Sequence, residues 1–254
     1  MIVNFDYRFC LEFDEYVTSH YFSLRVTPRS APFYRIINME TNDNLYHTKD
    51  GYGNIISFGS IKDEHNIFEI NTKGQIEFFD EYYDTQGGSD LSKLYLFESQ
   101  FIKYSDSFLG FIKNIEYNCN IQSFARYIVN VIFSNFIYQR GVTTTDCTID
   151  TLLTYKKGVC QDFSHLMIAV LRYYGIPARY VSGFVSGEGE SHAWVEYFDG
   201  TIWRGADPTH NILITKEPYI KVSHGKDAYD TIMNKGVFVG KTTQNLIITA
   251  SVEQ

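Results

Sequence analysis

The chain has 254 residues, of which 44% are hydrophobic and 17% aromatic, so it can bury a large core as one big domain or two modest ones. This composition excludes an intrinsically disordered protein. The formal net charge of -8, with 22 basic against 30 acidic side chains and no dense run of Lys or Arg, argues against nucleic acid as a partner.

Residues 1–10 do not have the pattern of a signal peptide. They alternate between polar and apolar types and include Asp6, whereas a signal peptide has a basic start and an unbroken apolar run. No later stretch has the roughly 18 consecutive apolar residues that a membrane span needs. We therefore expect a cytoplasmic protein without a membrane partner.

Residues 1–88 are predicted to form an antiparallel β-domain. Polar and apolar residues alternate, as they do in half-buried strands, at 21–26, 67–70 and 75–79. Residues that favour turns separate these runs at Pro28, Pro32, 50–54 and 71–74. Residues 85–90 show no periodicity and are predicted to be a linker to a second unit, residues 89–254.

The second unit is predicted to begin with helices and to continue with β-strands. Apolar residues recur there at helical spacing, and glycines stand where helices should stop. The predicted helices are 121–136, 148–157 with Gly158 as its stop, and a third helix that has Cys160 in its first turn and stops at Gly175. The predicted strands are 178–185, 191–198 and 201–204, with a hairpin turn at 199–200, and later 236–239 and 245–252.

Cys160 is the cysteine with a functional context. Cys10, Cys119, Cys147 and Cys160 form no CxxC pair, so neither a zinc knuckle nor a dithiol redox motif is present. Any one of them taken alone is most simply a small buried hydrophobic residue. At the start of a helix, however, the unpaired backbone N–H groups and the helix dipole favour the thiolate, which is the nucleophilic form.

A cysteine nucleophile also needs a base and a group that orients the base. His192 opens a predicted strand, and Asp207 ends the next strand after a short hairpin. Neighbouring antiparallel strands can bring a histidine and an aspartate together, with one ring nitrogen facing the carboxylate and the other facing the thiol. The pattern indicates a triad of Cys160, His192 and Asp207, although Asp207 alone could also be a turn former before Pro208.

Several motifs in this order resemble the core of bacterial transglutaminase-like proteins of the cysteine-protease type. The motifs are GVCQDFSHL at 158–166, GIPARYVSG at 175–183, HAWVE at 192–196 and DPT at 207–209. The resemblance extends to DGYGN at 50–54, in the family's N-terminal β-region, and to HGKD at 224–227 and GVF at 236–238, in its C-terminal signature. One departure from the family pattern lies just before His192. The glycines that often precede this histidine in the family are here mixed with Glu188 and Glu190.

The resemblance implies a fold and a set of roles. The fold is α+β, with a papain-like core in which a helix-borne cysteine packs on an antiparallel sheet, preceded by an all-β domain. Residues 89–254 are then the transglutaminase-like catalytic core with C-terminal β-strands. Cys160 is the nucleophile, His192 the general base and acid, and Asp207 the orienting group, acting on a peptide or protein amide through a thioester without a cofactor.

Two further residues and a metal site are open alternatives. Gln161 could polarise the substrate carbonyl, but a surface side chain in the first helical turn fits equally well. Trp194 could wall the substrate cleft, although a core position in a strand is the commoner case. A zinc site could instead be formed by Cys160, His192 and Asp207, but the close-spaced ligand pair that is usual for zinc is missing. No EF-hand-like loop that would bind calcium is present either, so we expect no metal.

The triad fits more than one reaction. Water as acyl acceptor gives a peptidase or amidase, and an amine gives a transglutaminase. We favour hydrolysis, because the resemblance is to proteins described as proteases. A third interpretation is a binding module with an idle triad, and the presence of all three residues argues against it.

Overall fold

The computed structural model describes residues 1–42, 45–85, 91–117, 120–187 and 189–254. The strands are β1 Ile2–Leu24, β2 Tyr34–Thr41, β3 Tyr46–Lys49, β4 Ile55–Ile61, β5 His65–Phe78, β6 Ile137–Tyr138, β7 Lys157–Gly158, β8 Ala178–Phe184, β9 His192–Phe198, β10 Trp203–Asp207, β11 Ile212–Ile214, β12 Ile220–Gly225, β13 Asn234–Val239 and β14 Gln244–Glu253. The α-helices are α1 Asp106–Ile112, α2 Ile121–Asn135, α3 Ile149–Tyr155 and α4 Cys160–Tyr173, and short 3-10 helices lie at Lys93–Leu96 and Ala228–Thr231.

The larger sheet has seven strands and is built around β1. The first half of β1 pairs with β14 as far as Phe13 and with β5 as far as Glu12 and again at Val17. The second half pairs with β13 from Thr18 and with β4 from His20. Between the halves the pairing register shifts, and Ser19 has a left-handed φ of 50°. Such an irregularity bends a strand and increases its twist, so one long strand can serve two parts of a curled sheet.

The smaller sheet has five strands in the order β11-β10-β9-β8-β12 and is covered on both faces. Along β9, Ala193, Val195 and Tyr197 pack into a core formed with the helices. Trp194, which points the other way, packs into a core shared with the larger sheet. Because both faces are buried, β8 and β9 have no solvent-exposed residue, and even their polar residues Arg179, Ser182, His192 and Glu196 are buried.

The structure confirms the α+β fold class and most of the predicted elements. The predicted helix at 121–136 is α2, and the helix that carries Cys160 is α4, which ends before Gly175, a residue with a left-handed φ of 76°. The described helices include none with the length and apolar character of a membrane span. The predicted linker at 85–90, except Thr85, and the predicted boundary after residue 88 lie outside the described residues, so this division stays a prediction.

The predicted turn at 71–74 is wrong, because β5 runs through it. Thr72 is buried in the strand, and Gly74 lies where β2 comes unusually close. A Cβ atom on Gly74 would be 2.2 Å from the carbonyl oxygen of Asn38, next to a register shift in the β2–β5 pairing. The glycine therefore permits a close approach of two strands and does not form a turn.

Gly158 is also not the stop of α3. That helix ends at Tyr155 because Lys156 takes the left-handed conformation, with a φ of 55°. Gly158 instead belongs to β7, where an added Cβ would be 2.7 Å from a carboxylate oxygen of Asp162. The glycine makes room for the side chain that caps the next helix.

A buried ion cluster, formed by Asp84, Arg179, Glu196 and Lys221, joins the two sheets. Asp84 follows the N-terminal strands, and its carboxylate accepts from Arg179 and from Lys221, each at 2.8 Å. The Glu196 carboxylate accepts from Arg179 at 2.5 Å and from Lys221 at 2.7 Å. All four residues are buried, and each carboxylate faces two cations, which offsets the cost of removing the charges from water.

We expect Lys221→Met to lower the free energy of unfolding by about 3–5 kcal/mol, because two buried carboxylates lose one of their cations. The matched control is Arg35→Met, which removes an exposed cation from Glu77 and should cost at most about 1 kcal/mol. Urea denaturation of both variants measures the difference. A loss for Lys221→Met as small as that of the control would contradict the stabilising role of the cluster.

Candidate active site

Cys160 is the first residue of α4, and its side chain is partly buried. The N–H group of Val159, just before it, donates to the Asp162 carboxylate at 2.8 Å, so Asp162 caps the helix. The Thr143 hydroxyl donates to the same carboxylate oxygen at 2.7 Å. The start of the helix is thus held by residues other than Cys160, and the thiol has no capping role.

Gln161 follows Cys160 and points to a neighbouring loop. Its side-chain amide donates to the carbonyl oxygen of Thr145 at 3.0 Å, so together with Thr143 it ties this loop to α4. The role of Gln161 in polarising a substrate carbonyl stays a prediction.

His192 and Asp207 meet across the β9–β10 hairpin. The strands pair antiparallel, and Nε2 of His192 is 2.7 Å from Oδ2 of Asp207. Both side chains are fully buried. Cys160 lies close enough for its charge to act on the His192 imidazole. The structure therefore brings together the three residues singled out from the sequence, with His192 between the other two.

The Asp207 carboxylate accepts several hydrogen bonds besides that from His192. Its Oδ2 accepts from Nδ1 of His210 at 2.8 Å and from the Tyr219 hydroxyl at 2.7 Å. Its Oδ1 accepts from the N–H groups of Thr209 at 2.8 Å and His210 at 3.3 Å. Burial raises the pKa of Asp207, but the hydrogen bonds and charges of His192 and His210 lower it well below its ordinary value. Asp207 is therefore a carboxylate.

The protonation of His192 follows from its two neighbours. Burial lowers its pKa, but the hydrogen bond with Asp207 and the charges of Asp207 and Cys160 raise the pKa to about 10. A nearby anion stabilises the charged form of an imidazole. His192 is therefore an imidazolium at neutral pH, able to give a proton to a departing group.

Aromatic rings surround the imidazole of His192. The His210 ring stacks on it with centroids 4.8 Å apart and an angle of 26°. The Trp194 ring is nearly parallel to it, with centroids 6.5 Å apart, and Tyr219 meets it edge-on at 6.3 Å. Trp194 is fully buried, and its Nε1 donates to the Tyr82 hydroxyl at 2.8 Å. Trp194 therefore supports the imidazole from within the protein.

His210 and Tyr219 were not predicted from the sequence. His210 follows the motif at 207–209 directly, and a titratable residue so close to Asp207 was a usable signal. Tyr219 lies between β11 and β12 and reaches Asp207 only through the folding of the small sheet. No local pattern marks it.

An exposed ion pair connects the segments that lead to Cys160 and His192. The N–H group of Gln139 donates to the carbonyl of Gly158 at 2.9 Å, which brings Arg140 beside the residues that precede Cys160. Arg140 is 2.9 Å from Glu190, which precedes His192 by two residues. Glu188, the other acidic residue of this segment, lies outside the described residues.

Two groups of described side chains have potential metal ligands within 4.8 Å of one another. They are His192, Asp207 and His210, and Asp84, Glu196 and His224. Hydrogen bonds account for the close approach in the first group. In the second group, Arg179 and Lys221 bind the carboxylates, and their positive charges oppose a metal ion.

Sequence comparisons place the three residues inside one matched domain. Residues 112–208 match the transglutaminase-like superfamily, over its core domain. The chain is 41% identical over 129 residues to an uncharacterized protein of Mycobacterium leprae, covering 47% of this chain and 46% of that protein. It is 35% identical over 83 residues to the protein-glutamine gamma-glutamyltransferase of Pseudomonas aeruginosa, covering 28% of this chain and 12% of that protein. The chain thus spans less than half the length of these curated relatives.

The fold as a whole is similar to a crystal structure from Cytophaga hutchinsonii, named "Putative Cysteine Protease". The TM-score is 0.77 at 19% sequence identity, and the match covers 99% of this chain and 91% of that one. At this identity the likeness concerns the fold. Both comparisons agree with the motifs read from the sequence, and residues 112–208 therefore form a domain of the transglutaminase-like superfamily, the family predicted for this chain.

Proposed function

We propose that the protein is a cysteine enzyme that cleaves an amide bond of a peptide or protein through a thioester. In this proposal Cys160 is the nucleophile, His192 the acid and base, and Asp207 the group that orients His192. The observation that carries it is the buried pair of His192 and Asp207, 2.7 Å apart, with Cys160 close enough for its charge to act on the imidazole. An imidazolium stabilised by a carboxylate in turn stabilises a thiolate beside it.

The first half-reaction forms the acyl-enzyme. The sulfur of Cys160 attacks the carbonyl carbon, and a pair of carbonyl electrons moves to the oxygen. The unpaired N–H groups at the start of α4, including that of Cys160, donate to this oxyanion. His192 gives its proton to the amide nitrogen, the C–N bond breaks, and the amine leaves with the thioester on Cys160.

The second half-reaction releases the acyl group. Neutral His192 takes a proton from water as the water oxygen attacks the thioester carbon. The C–S bond breaks, the carboxylic acid leaves, and the thiolate and the imidazolium are restored. Asp207 stays ionised throughout and stabilises the imidazolium in each half-reaction.

We favour water over an amine as the acceptor. The fold-wide similarity is to a protein named as a cysteine protease, whereas the match to the gamma-glutamyltransferase covers 28% of this chain. An amine in place of water would make the protein a transglutaminase with the same residues in the same roles. The alternative of a non-catalytic binding module is disfavoured, because such a module does not need a buried, ionised Asp207 behind a histidine.

We expect Cys160→Ala to lower turnover at least about 1000-fold, because it removes the nucleophile. The matched control is Cys147→Ala, since the Cys147 sulfur contacts Thr144 and takes no part in the reaction. The assay follows peptide and glutamine-amide substrates by mass spectrometry, with and without a primary amine. Product that forms only with the amine would identify a transglutaminase. Activity that survives Cys160→Ala would contradict the proposed mechanism.

The thiolate can also be tested without a substrate. We expect iodoacetamide to label Cys160 at least about tenfold faster than any other cysteine at pH 7, because the thiolate is the reactive form. Peptide mapping after short exposure gives the four rates side by side. Equal labelling of Cys160 and Cys147 would support an idle site.

The pH profile tests the pair of His192 and Asp207. The proton that His192 gives to the leaving amine is present below a pKa of about 10 and is lost as the pH rises through it, so kcat/KM should fall near pH 10. Asp207→Asn removes the anion that raises this pKa. In this variant we expect the alkaline fall of kcat/KM to begin at a lower pH. We also expect kcat to be reduced about 10²- to 10⁴-fold. An alkaline limb that stays in place would contradict the role of Asp207.

A further inference from the structure

We propose that His210 is a positioning residue of this site, which holds the His192 ring by stacking and, with Tyr219, holds the Asp207 carboxylate in the orientation that His192 requires. The inference rests on the proposed function, since it assigns a role within the same reaction.

The backbone of His210 is fixed from two sides. On one side, Oδ1 of Asp207 accepts from the N–H groups of Thr209 and His210 and closes a tight turn after β10. On the other side, Asn211 takes the left-handed conformation with a φ of 58°, and its carbonyl accepts from Arg126 of α2 at 2.5 Å. The Cα atom of His210 is therefore set by the end of β10 and by α2, independently of the His210 side chain.

The side chain of His210 restrains Asp207. Because Asp207 is ionised, its oxygens only accept, so Nδ1 of His210 carries the proton of this hydrogen bond. His192, His210 and Tyr219 all donate to Oδ2, at 2.7, 2.8 and 2.7 Å. Three donors on one oxygen limit the rotation of the carboxylate. Asp207 can thus keep its orientation while His192 loses and regains its own proton.

The ring of His210 restrains His192. The two rings are 4.8 Å apart and inclined by 26°, so each limits the tilting of the other. The His192 side chain is fully buried, whereas the His210 side chain is 36% exposed, so His210 lies on the solvent side of the pair. Trp194 supports His192 from within the protein, and His210 supports it from outside. Both restraints keep the imidazole in place beside Cys160.

The restraint on Asp207 can be measured through the pH dependence of kcat/KM. Within the described part of the chain, the titratable groups recorded beside His192 are Cys160 of α4, Asp207 of β10, His210 after β10 and Tyr219 before β12. A carboxylate that is free to rotate forms a weaker hydrogen bond with the imidazolium and stabilises it less. Loss of His210 should therefore move the alkaline limb of kcat/KM to lower pH, an effect that a merely structural residue would not have.

The test compares His210→Ala with two variants that each keep one contact. His210→Asn keeps an N–H donor for Asp207, and His210→Phe keeps a ring over His192. We expect His210→Ala to lower kcat about tenfold with KM changed less than about twofold, and to move the alkaline limb down by about one pH unit. Each of the other two variants should recover at least about threefold of the lost kcat.

Two further variants are measured beside the His210 variants. Tyr219→Phe removes another donor from Asp207 and should move kcat and the alkaline limb in the same direction as His210→Ala. His47→Ala is the matched control, because His47 is an exposed histidine of β3 that contacts Ser57 and should leave both readouts unchanged. Thermal unfolding identifies any variant that is not folded at the assay temperature.

The outcomes separate this inference from the proposed function. If wild type turns over a substrate and labels preferentially at Cys160, while His210→Ala keeps the wild-type kcat and alkaline limb, only the role of His210 fails. Equal losses in all three His210 variants with an unmoved alkaline limb would also overturn it. If wild type shows neither turnover nor preferential labelling of Cys160, the proposed function itself fails.

Discussion

The site depends on a carboxylate that is fully buried and still charged. An unpaired carboxylate in such surroundings would take up a proton, because burial disfavours the ionised form. Asp207 remains an anion because it accepts five hydrogen bonds. Their donors come from β9, from the turn after β10 and from the residue before β12. The small sheet must therefore be assembled correctly before the charge on Asp207, and with it the imidazolium of His192, can exist.

A second buried carboxylate, near the other end of β9, also needs its partners in place to stay ionised. Glu196 is fully buried and ionised, and it is stabilised by the cations of the buried ion cluster and by the Tyr82 hydroxyl at 2.6 Å. Tyr82 in turn accepts from Trp194, whose ring lies nearly parallel to that of His192. Because Tyr82 and Asp84 both lie after β5, the segment that follows the N-terminal strands contributes directly to the wall behind the site.

The sequence was sufficient for those features that depend on neighbouring residues. Helical periodicity predicted α2 and α4, and the short hairpin between β9 and β10 was enough to bring His192 and Asp207 together. Features that depend on distant residues could not be predicted in this way. Residues 71–74 have the composition of a turn, but pairing with β1 and β2 keeps them extended. Tyr219 and the change of partners along β1 likewise depend on tertiary contacts that leave no local pattern.

The residues at the start of α4 differ in whether the fold requires them. A helix start needs its N–H groups satisfied, and Asp162 does this for Val159 while Gly158 makes room for the Asp162 side chain. Thr143 and Gln161 tie the adjacent loop to the same turn. Cys160 has none of these tasks, and it contributes only a partly buried sulfur to the core. A small apolar residue would serve the fold equally well at this position. The fold therefore requires Gly158 and Asp162 but not the cysteine, which agrees with the nucleophilic role proposed for its sulfur.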